Sequence, residues 1–144
     1  MYLDAENIDA LLPDADYRTL SGLTLAFIGD AVYELFIRRY ILSLGEAKVS
    51  VLHKEAVKLV NADYQAEAAK MLMPYLTEDE TAVYKRGRNA HAGHTPKNKS
   101  EATYHMSTGF EALIGYIYLK KDYKRLDEIF SLILKQVEEN EKEQ

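Results

Sequence analysis

The 144-residue chain is 47% hydrophobic and 28% charged, which is typical of one folded domain and excludes a largely disordered protein. It has no Cys, which excludes disulfides and thiolate metal sites, and it shows neither an apolar run of membrane-spanning length nor the pattern of a signal peptide. We therefore expect a cytoplasmic protein. The net charge of −5 argues against a general polyanion binder.

Helix signals follow one another along the chain. The predicted helices cover residues 7–12, about 22–44, 50–60, 63–73, 77–86, about 101–119 and 122–137. Predicted N-caps are Ser21, Ser50, Ser100 and Asp122, together with a capping box formed by Thr77 and Glu80. Because no alternation typical of β-strands is present, we predict an all-α fold and a single compact domain over residues 1–144.

The segment LAFIGDAVYELFIRR, residues 25–39, places an acidic stripe in an otherwise apolar helix. Ala26, Asp30, Glu34 and Arg38 recur every four residues and therefore share one face. The surrounding apolar residues predict a helix buried in the middle of the domain. A buried carboxylate needs a metal ion, a cation, hydrogen-bond donors or a water-filled cleft, so Asp30 is a candidate functional residue.

The segment TGFEALIGYIYL, residues 108–119, repeats this pattern with Glu111 as its only acid. Two helices that each present a lone buried acid can bring Asp30 and Glu111 together around a divalent ion such as Mg²⁺. Hard cations of this kind take carboxylate, water and phosphate oxygens. The alternative is that each acid forms an ion pair, and the candidate cations are Arg38, Arg39 and His105.

The segment KRGRNAHAGHTPKNK, residues 85–99, is basic and contains no acid. It is long and irregular for a compact domain, and such loops tend to be functional. A zinc site at His91 and His94 is disfavoured because no Cys or carboxylate accompanies them. An ordinary charged surface loop is one alternative, and phosphate binding is the better interpretation. The candidate phosphate contacts are Arg86, Arg88, Lys97 and Lys99.

Three segments, LAFIGDAVYE, KRGRNAHAGHTPKN and FEALIGYIYL, together resemble the ribonuclease III family in order and spacing. Within that family the chain is most similar to the short bacterial branch, for which no double-stranded RNA-binding domain is expected. The resemblance extends over about residues 20–130. It implies a homodimeric, Mg²⁺-dependent endoribonuclease that cleaves double-stranded RNA and leaves 5′-phosphate and 3′-hydroxyl ends. The implied catalytic residues and metal ligands are Asp30 and Glu111.

The resemblance also implies a substrate and partners. The substrate is a precursor of the large-subunit (23S) ribosomal RNA, and a ribosomal protein that shapes this RNA is a candidate partner. Without a separate RNA-binding domain, the catalytic domain itself has to hold the phosphates and 2′-hydroxyls of A-form RNA. The implied RNA-binding residues are Arg86, Arg88, Asn89, Lys97, Asn98 and Lys99.

The chain departs from full-length ribonuclease III enzymes at Leu23, Ala26 and Thr108, where those enzymes carry acids. Fewer carboxylates predict weak Mg²⁺ binding that the substrate phosphate completes, rather than a pre-formed site for two metal ions. Glu34 is a further candidate ligand, and its alternative is an ion pair with Arg38.

Two other function classes stay open. One is a catalytically silent RNA-binding protein of the same fold, and the other is a helical phosphohydrolase acting on small nucleotides. For the dimer, the aromatic residues Tyr33, Phe36 and Tyr40 are typical of an interface, with the core of a monomer as the alternative.

Overall fold

The computed structural model describes residues 16–90 and 100–143, and every regular element in these ranges is helical. The helices are α1 (Gly22–Ser43), α2 (Val49–Val60), α3 (Ala62–Leu72), α4 (Glu78–Arg88), α5 (Glu101–Leu119) and α6 (Tyr123–Lys142), with 3-10 turns at Tyr17–Thr19 and Met73–Tyr75. The predicted all-α fold is confirmed. The helix predicted at 7–12 lies outside the described residues. None of the described helices is both long and apolar enough to cross a membrane.

Side-chain caps set where most of the helices begin. The hydroxyls of Ser21 and Ser100 and the carboxylate of Asp122 each accept a hydrogen bond from the backbone N–H three residues further on. Thr77 and Glu80 form the predicted capping box at the start of α4. These groups satisfy N–H donors that have no partner within the helix. The predicted starts of α1, α4, α5 and α6 are therefore confirmed.

The prediction for the start of α2 is wrong. The helix begins at Val49, and the preceding Lys48 makes no side-chain capping bond, so Ser50 lies within the first turn. α3 begins one residue earlier than predicted because the Asn61 side chain accepts a hydrogen bond from the backbone N–H of Tyr64. Ser50 was thus assigned to a cap although its side chain makes no capping hydrogen bond, and Asn61, which does cap α3, was overlooked.

The centre of the domain is α5 rather than the segment 25–39. Between Ser107 and Ile117 every residue of α5 is buried except Glu111, which is half-buried. Helices α1, α3 and α4 pack around it. α6 contributes a buried stripe consisting of Leu126, Ile129, Phe130, Ile133 and Val137.

α1 is covered along one side only. The covered stripe consists of Leu25, Gly29, Tyr33, Ile37 and Ile41, together with Gly22 and Ala26. On the opposite side Phe27 is 77% exposed and Leu35 is 61% exposed. The prediction of a helix surrounded on nearly all sides is therefore wrong for a single chain, because the described part of one chain has no element that covers this outer face.

Two of the aromatic residues proposed for an interface, Tyr33 and Phe36, pack against other residues of the same chain. Tyr33 is fully buried, its hydroxyl donates to the carbonyl oxygen of Leu59 at 2.7 Å, and its ring packs edge-on against Phe110. Phe36 stacks on Phe130 with ring centroids 3.7 Å apart. The core alternative is thus correct for Tyr33, whose side chain has no surface left for a partner.

The backbones of α1 and α5 touch at two glycines. A Cβ atom on Gly29 would overlap the carbonyl oxygen of Glu111 and lie 2.8 Å from the backbone nitrogen of Gly115. A Cβ atom on Gly115 would overlap the carbonyl oxygen of Leu25. Residues beside these glycines are thereby brought close together across the helix pair, and Asp30 is the residue that follows Gly29.

A buried ion pair joins α4 to α6. Glu80 is 4% exposed, and its two carboxylate oxygens accept hydrogen bonds from Nε and Nη2 of Arg125, each at 2.8 Å. Arg125 also donates to the carbonyl oxygen of Tyr75 and to Glu128. A bidentate arginine with additional partners is the arrangement in which a buried carboxylate is best satisfied.

Candidate active site

Asp30 of α1 and Glu111 of α5 meet beside the glycine contact. The two carboxyl groups interact directly, and a hydrogen bond between them favours the protonated form of Glu111. Burial of Glu111, followed by this hydrogen bond and the negative charge of Asp30, raises the pKa of Glu111 to about 9. Asp30 itself is exposed, which corrects the prediction that both acids are buried. The two side chains therefore form a carboxyl pair that opens to solvent on the side of α1.

Two further side chains act on this carboxyl pair. Glu34, one turn after Asp30, adds negative charge that favours the protonated form of Glu111. Gln65 of α3 is 3% exposed, and its side-chain amide favours the charged form of Glu111 and so opposes the rise of its pKa. Sequence reasoning missed Gln65, because a single Gln in a helix rich in Ala carries no periodic signal. The one sequence feature that marks it is its position on the face of α3 whose other buried residues are Ala and Leu.

The cations proposed as alternative partners of the acids are used elsewhere. Arg38 donates to Glu34 at 2.9 Å, so the alternative weighed for Glu34 is the one observed. His105 lies 3.6 Å from Glu101. Arg39 lines a groove of about 550 Å³ between α1 and α6. Among the described residues, no cation shifts the pKa of Glu111.

The donor chemistry of the pair fits one hard divalent cation. Two carboxylates are held close together, a third lies nearby, and like charges at such distance favour either a shared proton or a bound cation. Within residues 16–90 and 100–143 no group of three or more His, Asp or Glu side chains is arranged to hold a metal ion. The site therefore fits an ion that takes its remaining oxygens from water and phosphate, with Asp30 and Glu111 as the protein ligands.

None of the three positions Leu23, Ala26 and Thr108 adds a carboxylate to the pair. Ala26 is 7% exposed and Thr108 is 6% exposed, and the Thr108 hydroxyl donates to the carbonyl oxygen of Tyr104 at 3.0 Å. Leu23 is 37% exposed on the outer face of α1. A small, a hydrogen-bonded and an apolar side chain thus stand where full-length enzymes carry carboxylates.

The basic segment is described only at its beginning. The Arg86 guanidinium donates to the carbonyl oxygens of Arg18 at 2.9 Å and Leu20 at 2.7 Å, so it ties the chain before α1 to the end of α4. Arg88 donates to the side chain of Asn89 at 3.2 Å and lies 5.8 Å from the centre of the Tyr84 ring. The other candidates are outside the described residues, namely His91, His94, Lys97, Asn98 and Lys99.

Comparison with known proteins shows the family to which the chain belongs. A family model described as the ribonuclease III domain matches residues 23–122. A protein named Mini-ribonuclease 3 from Enterococcus faecalis is 45% identical over 130 residues, which cover 88% of this chain and 98% of that protein. The chain belongs to the ribonuclease III family. Both acids, Asp30 and Glu111, lie inside the matched domain.

Further relatives place the chain in the Mini-ribonuclease 3 branch of the ribonuclease III family. The protein of that name from Clostridium tetani is 44% identical over 126 residues, covering 87% of this chain and 83% of that protein. A crystal structure of a Fusobacterium nucleatum protein superposes with a TM-score of 0.76 at 35% identity, covering 85% of this chain and 98% of that one. The helical arrangement described above is therefore that of a solved relative.

Proposed function

We propose that the chain is a Mg²⁺-dependent endoribonuclease that cleaves double-stranded RNA. The observation that carries the proposal is the meeting of Asp30 and Glu111 across the contact of α1 with α5, inside a ribonuclease III domain. A pair of carboxylates with no cationic partner among residues 16–90 and 100–143 is the donor set that a hard metal ion and an RNA phosphate would complete.

The residues of the chain have distinct tasks in this reaction. When Mg²⁺ is bound, it makes water more acidic and withdraws charge from the scissile phosphate. Asp30, exposed at the mouth of the site, and Glu111, half-buried behind it, would hold the ion through carboxylate oxygens. Glu111, whose pKa is raised to about 9, has to be ionised to act as a ligand, and the Gln65 amide favours the ionised form. Cleavage leaves 5′-phosphate and 3′-hydroxyl ends.

RNA binding is assigned to the basic segment at the end of α4. Arg88 and Asn89 lie at the C-terminal end of this helix, where the described structure stops before residue 91. With Lys97, Asn98 and Lys99, they would hold phosphates and 2′-hydroxyls. The Arg86 guanidinium already donates to two backbone carbonyl oxygens. Only its remaining N–H groups are therefore proposed to bind RNA phosphate.

A homodimer is the assembly that the outer face of α1 supports. This outer face consists of Leu23, Phe27, Ala31, Leu35 and Leu42, and all five side chains are exposed in the single chain. Exposed apolar side chains along one helix face are typical of an interface. Because Asp30 lies beside this face, a partner in this position would place the two active sites along one surface.

The natural substrate and the setting also belong to the proposal. By its resemblance to the short bacterial branch, we infer that the enzyme matures the 23S ribosomal RNA precursor in the cytoplasm. A ribosomal protein that shapes this precursor is the candidate assisting partner.

The decisive experiment is cleavage of a long double-stranded RNA with Mg²⁺. We expect the wild-type protein to cleave, and Asp30→Asn and Glu111→Gln to retain RNA binding while cleaving at least about 1000-fold more slowly, since metal stabilisation of the transition state is worth several kcal/mol. Mononucleotides serve as the control substrate. RNA binding without cleavage by the wild type would indicate a silent member of the fold. Unchanged cleavage by Asp30→Asn would show that the carboxyl pair is not the active site.

A further inference from the structure

Arg86, in the last turn of α4, is tied to the chain that leads into α1. Its Nη1 donates to the carbonyl oxygen of Arg18 at 2.9 Å, and its Nη2 donates to the carbonyl oxygen of Leu20 at 2.7 Å. These acceptors are 68 and 66 residues away along the chain, and Leu20 immediately precedes Ser21, the N-cap of α1. A single guanidinium therefore connects the end of one helix to the start of another.

The backbones of α1, α4 and α5 approach one another closely at the same place. A Cβ atom on Gly22, the first residue of α1, would stand 2.8 Å from the carbonyl oxygen of Arg86. A Cβ atom on Gly87 of α4 would stand 2.6 Å from the Cβ atom of Ala112 on α5. Close-packed contacts of this kind transmit small displacements instead of absorbing them. The end of α4 is thus in direct contact with both helices that carry the acidic pair.

The basic segment begins at this end of α4. Arg88 is the last residue of the helix and Asn89 is its C-cap, and the described structure continues to residue 90. On the other side of the contact, Asp30 lies about two helical turns after Gly22 on α1. RNA that is held by the basic segment is therefore placed relative to the carboxyl pair through the contact between α4 and the start of α1.

We propose that Arg86 is a positioning residue that fixes the beginning of the basic segment relative to Asp30 and Glu111. This inference rests on the proposed function, since it concerns RNA that the basic segment binds and the carboxyl pair cleaves. Two hydrogen bonds from one planar guanidinium restrain both the distance and the orientation of α4 against the start of α1. Such restraint matters for rate, because a misplacement of about 1 Å can slow a reaction about 100-fold.

The form of the contact separates this role from core packing and from phosphate binding. The Arg86 side chain is exposed, so it does not fill the core. Its two terminal nitrogens donate to neutral carbonyl oxygens, and these bonds depend on the geometry of the guanidinium and not on a negative partner. Lys carries the same charge but lacks the rigid fork that spans two acceptors. Arg86→Lys thus keeps a charge for phosphate and removes the fork.

The test compares Arg86→Lys with Arg18→Lys in the cleavage of an RNA duplex of defined sequence with Mg²⁺. Arg18→Lys is the matched control: its exposed side chain pairs with Asp16, and the carbonyl oxygen that Arg86 binds stays in place. We expect Arg86→Lys to lower kcat about tenfold or more, to leave KM for RNA and its salt dependence unchanged, and to add new cut positions when the product ends are mapped. Arg18→Lys should match the wild type in all of these.

Two further measurements separate positioning from damage to the fold and from loss of charge. Urea denaturation identifies conditions under which every variant is folded. Hydrogen exchange at the Asn89 amide, which donates to the carbonyl oxygen of Lys85 at 2.9 Å, reports on the last turn of α4 and should be faster in Arg86→Lys. Arg86→Gln should show the same fall in kcat as Arg86→Lys, together with a rise in KM that follows from the lost charge.

An unchanged kcat in Arg86→Lys overturns the positioning role. With a raised KM, the fork would be assigned to phosphate binding, and with an unchanged KM, Arg86 would serve the fold alone. A wild-type protein that does not cleave, or Asp30→Asn that cleaves at the wild-type rate, overturns the proposed function, and the inference about Arg86 falls with it. Slow, less precise cleavage by Arg86→Lys beside a loss of cleavage in Asp30→Asn supports both.

Discussion

Gly29 of α1 and Gly115 of α5 lie against each other at the point where the two helix backbones touch. A Cβ atom on Gly115 would stand 3.0 Å from the backbone nitrogen of Gly29 and would overlap the carbonyl oxygen of Leu25. Asp30 follows the first glycine, and Glu111 precedes the second by one turn of helix. The absence of two side chains thus allows two acidic side chains to meet.

Gly115→Ala is expected to destabilise the protein by about 3 kcal/mol, because overpacking between rigid backbones forces the helices apart. Cleavage should fall further than stability accounts for, since Asp30 and Glu111 would separate. The measurements are urea denaturation and cleavage of double-stranded RNA. Ala112→Gly is the matched control: Ala112 is fully buried but faces Gly87 of α4, so the change should cost about 1 kcal/mol and leave cleavage intact.

Glu111→Gln is expected to stabilise the metal-free protein at pH 7 by about 1–2 kcal/mol. The reason is that burial and the negative charges of Asp30 and Glu34 raise the pKa of Glu111 to about 9, so at pH 7 the carboxyl has to take up a proton on folding, and Gln does not. Urea denaturation in the presence of a chelator measures the effect. Glu67→Gln serves as the control, because Glu67 forms an exposed ion pair with Lys70 and should contribute under about 1 kcal/mol. A loss of stability in Glu111→Gln would show that the carboxyl is well satisfied without a metal ion.

Glu80→Gln is expected to lower the free energy of unfolding by about 3 kcal/mol at pH 7, since it leaves part of the Arg125 charge without its buried partner. Burial opposes ionisation of Glu80, but the hydrogen bonds from Arg125 outweigh it and hold the pKa of Glu80 below its usual value of 4.5. Glu128→Gln, which removes the exposed partner of the same Arg125, should cost under about 1 kcal/mol.

The lowered pKa of Glu80 also sets the direction of a pH dependence. A carboxyl whose pKa is lower in the folded protein contributes stability that is complete above the unfolded value and is lost as the pH falls through the folded value. The difference in unfolding free energy between wild type and Glu80→Gln should therefore be constant above about pH 5 and shrink below 4.5. A difference that grew on acidification would contradict this assignment.

Arg86 and Arg88 are expected to respond differently to the same substitution. Arg86→Gln should lower the free energy of unfolding by about 1–2 kcal/mol, because it removes charged hydrogen bonds to the carbonyl oxygens of Arg18 and Leu20. Arg88→Gln should leave stability unchanged and weaken RNA binding. The slope of log K against log salt concentration should fall by the amount expected for about one phosphate contact. Urea denaturation and RNA titrations at several salt concentrations measure both, and equal RNA affinity for Arg88→Gln and wild type would exclude Arg88 as a phosphate contact.

Phe27→Glu is expected to convert a dimer into a monomer. Its side chain is 77% exposed at the middle of the outer face of α1, and a charge there would have to be buried against the partner. Sedimentation velocity measures the mass in solution. Leu44→Glu is the control, because Leu44 is 68% exposed but lies beyond the last residue of α1, outside that face. A wild-type protein that sediments as a monomer would refute the dimer.

Local signals in the sequence were sufficient for the helices and for the two acids. Ser21, Thr77, Ser100 and Asp122 each cap the helix that follows, and capping depends only on residues three positions apart. Asp30 and Glu111 were recognisable because a lone acid in an apolar helix costs free energy unless something offsets it. Both features depend on neighbours along the chain, which the sequence displays directly.

Only the tertiary structure decided which side of α1 is covered, that Arg86 binds backbone carbonyls and that Gln65 is buried. Each of these depends on contacts between residues that are far apart in the chain and are brought together by helix packing. An apolar residue has the same sequence pattern whether it faces its own core or a partner, and a Gln has the same pattern whether it is exposed or buried. The geometry of α1, α3 and α5, set where Gly29 and Gly115 allow the backbones to touch, is what gives these side chains their roles.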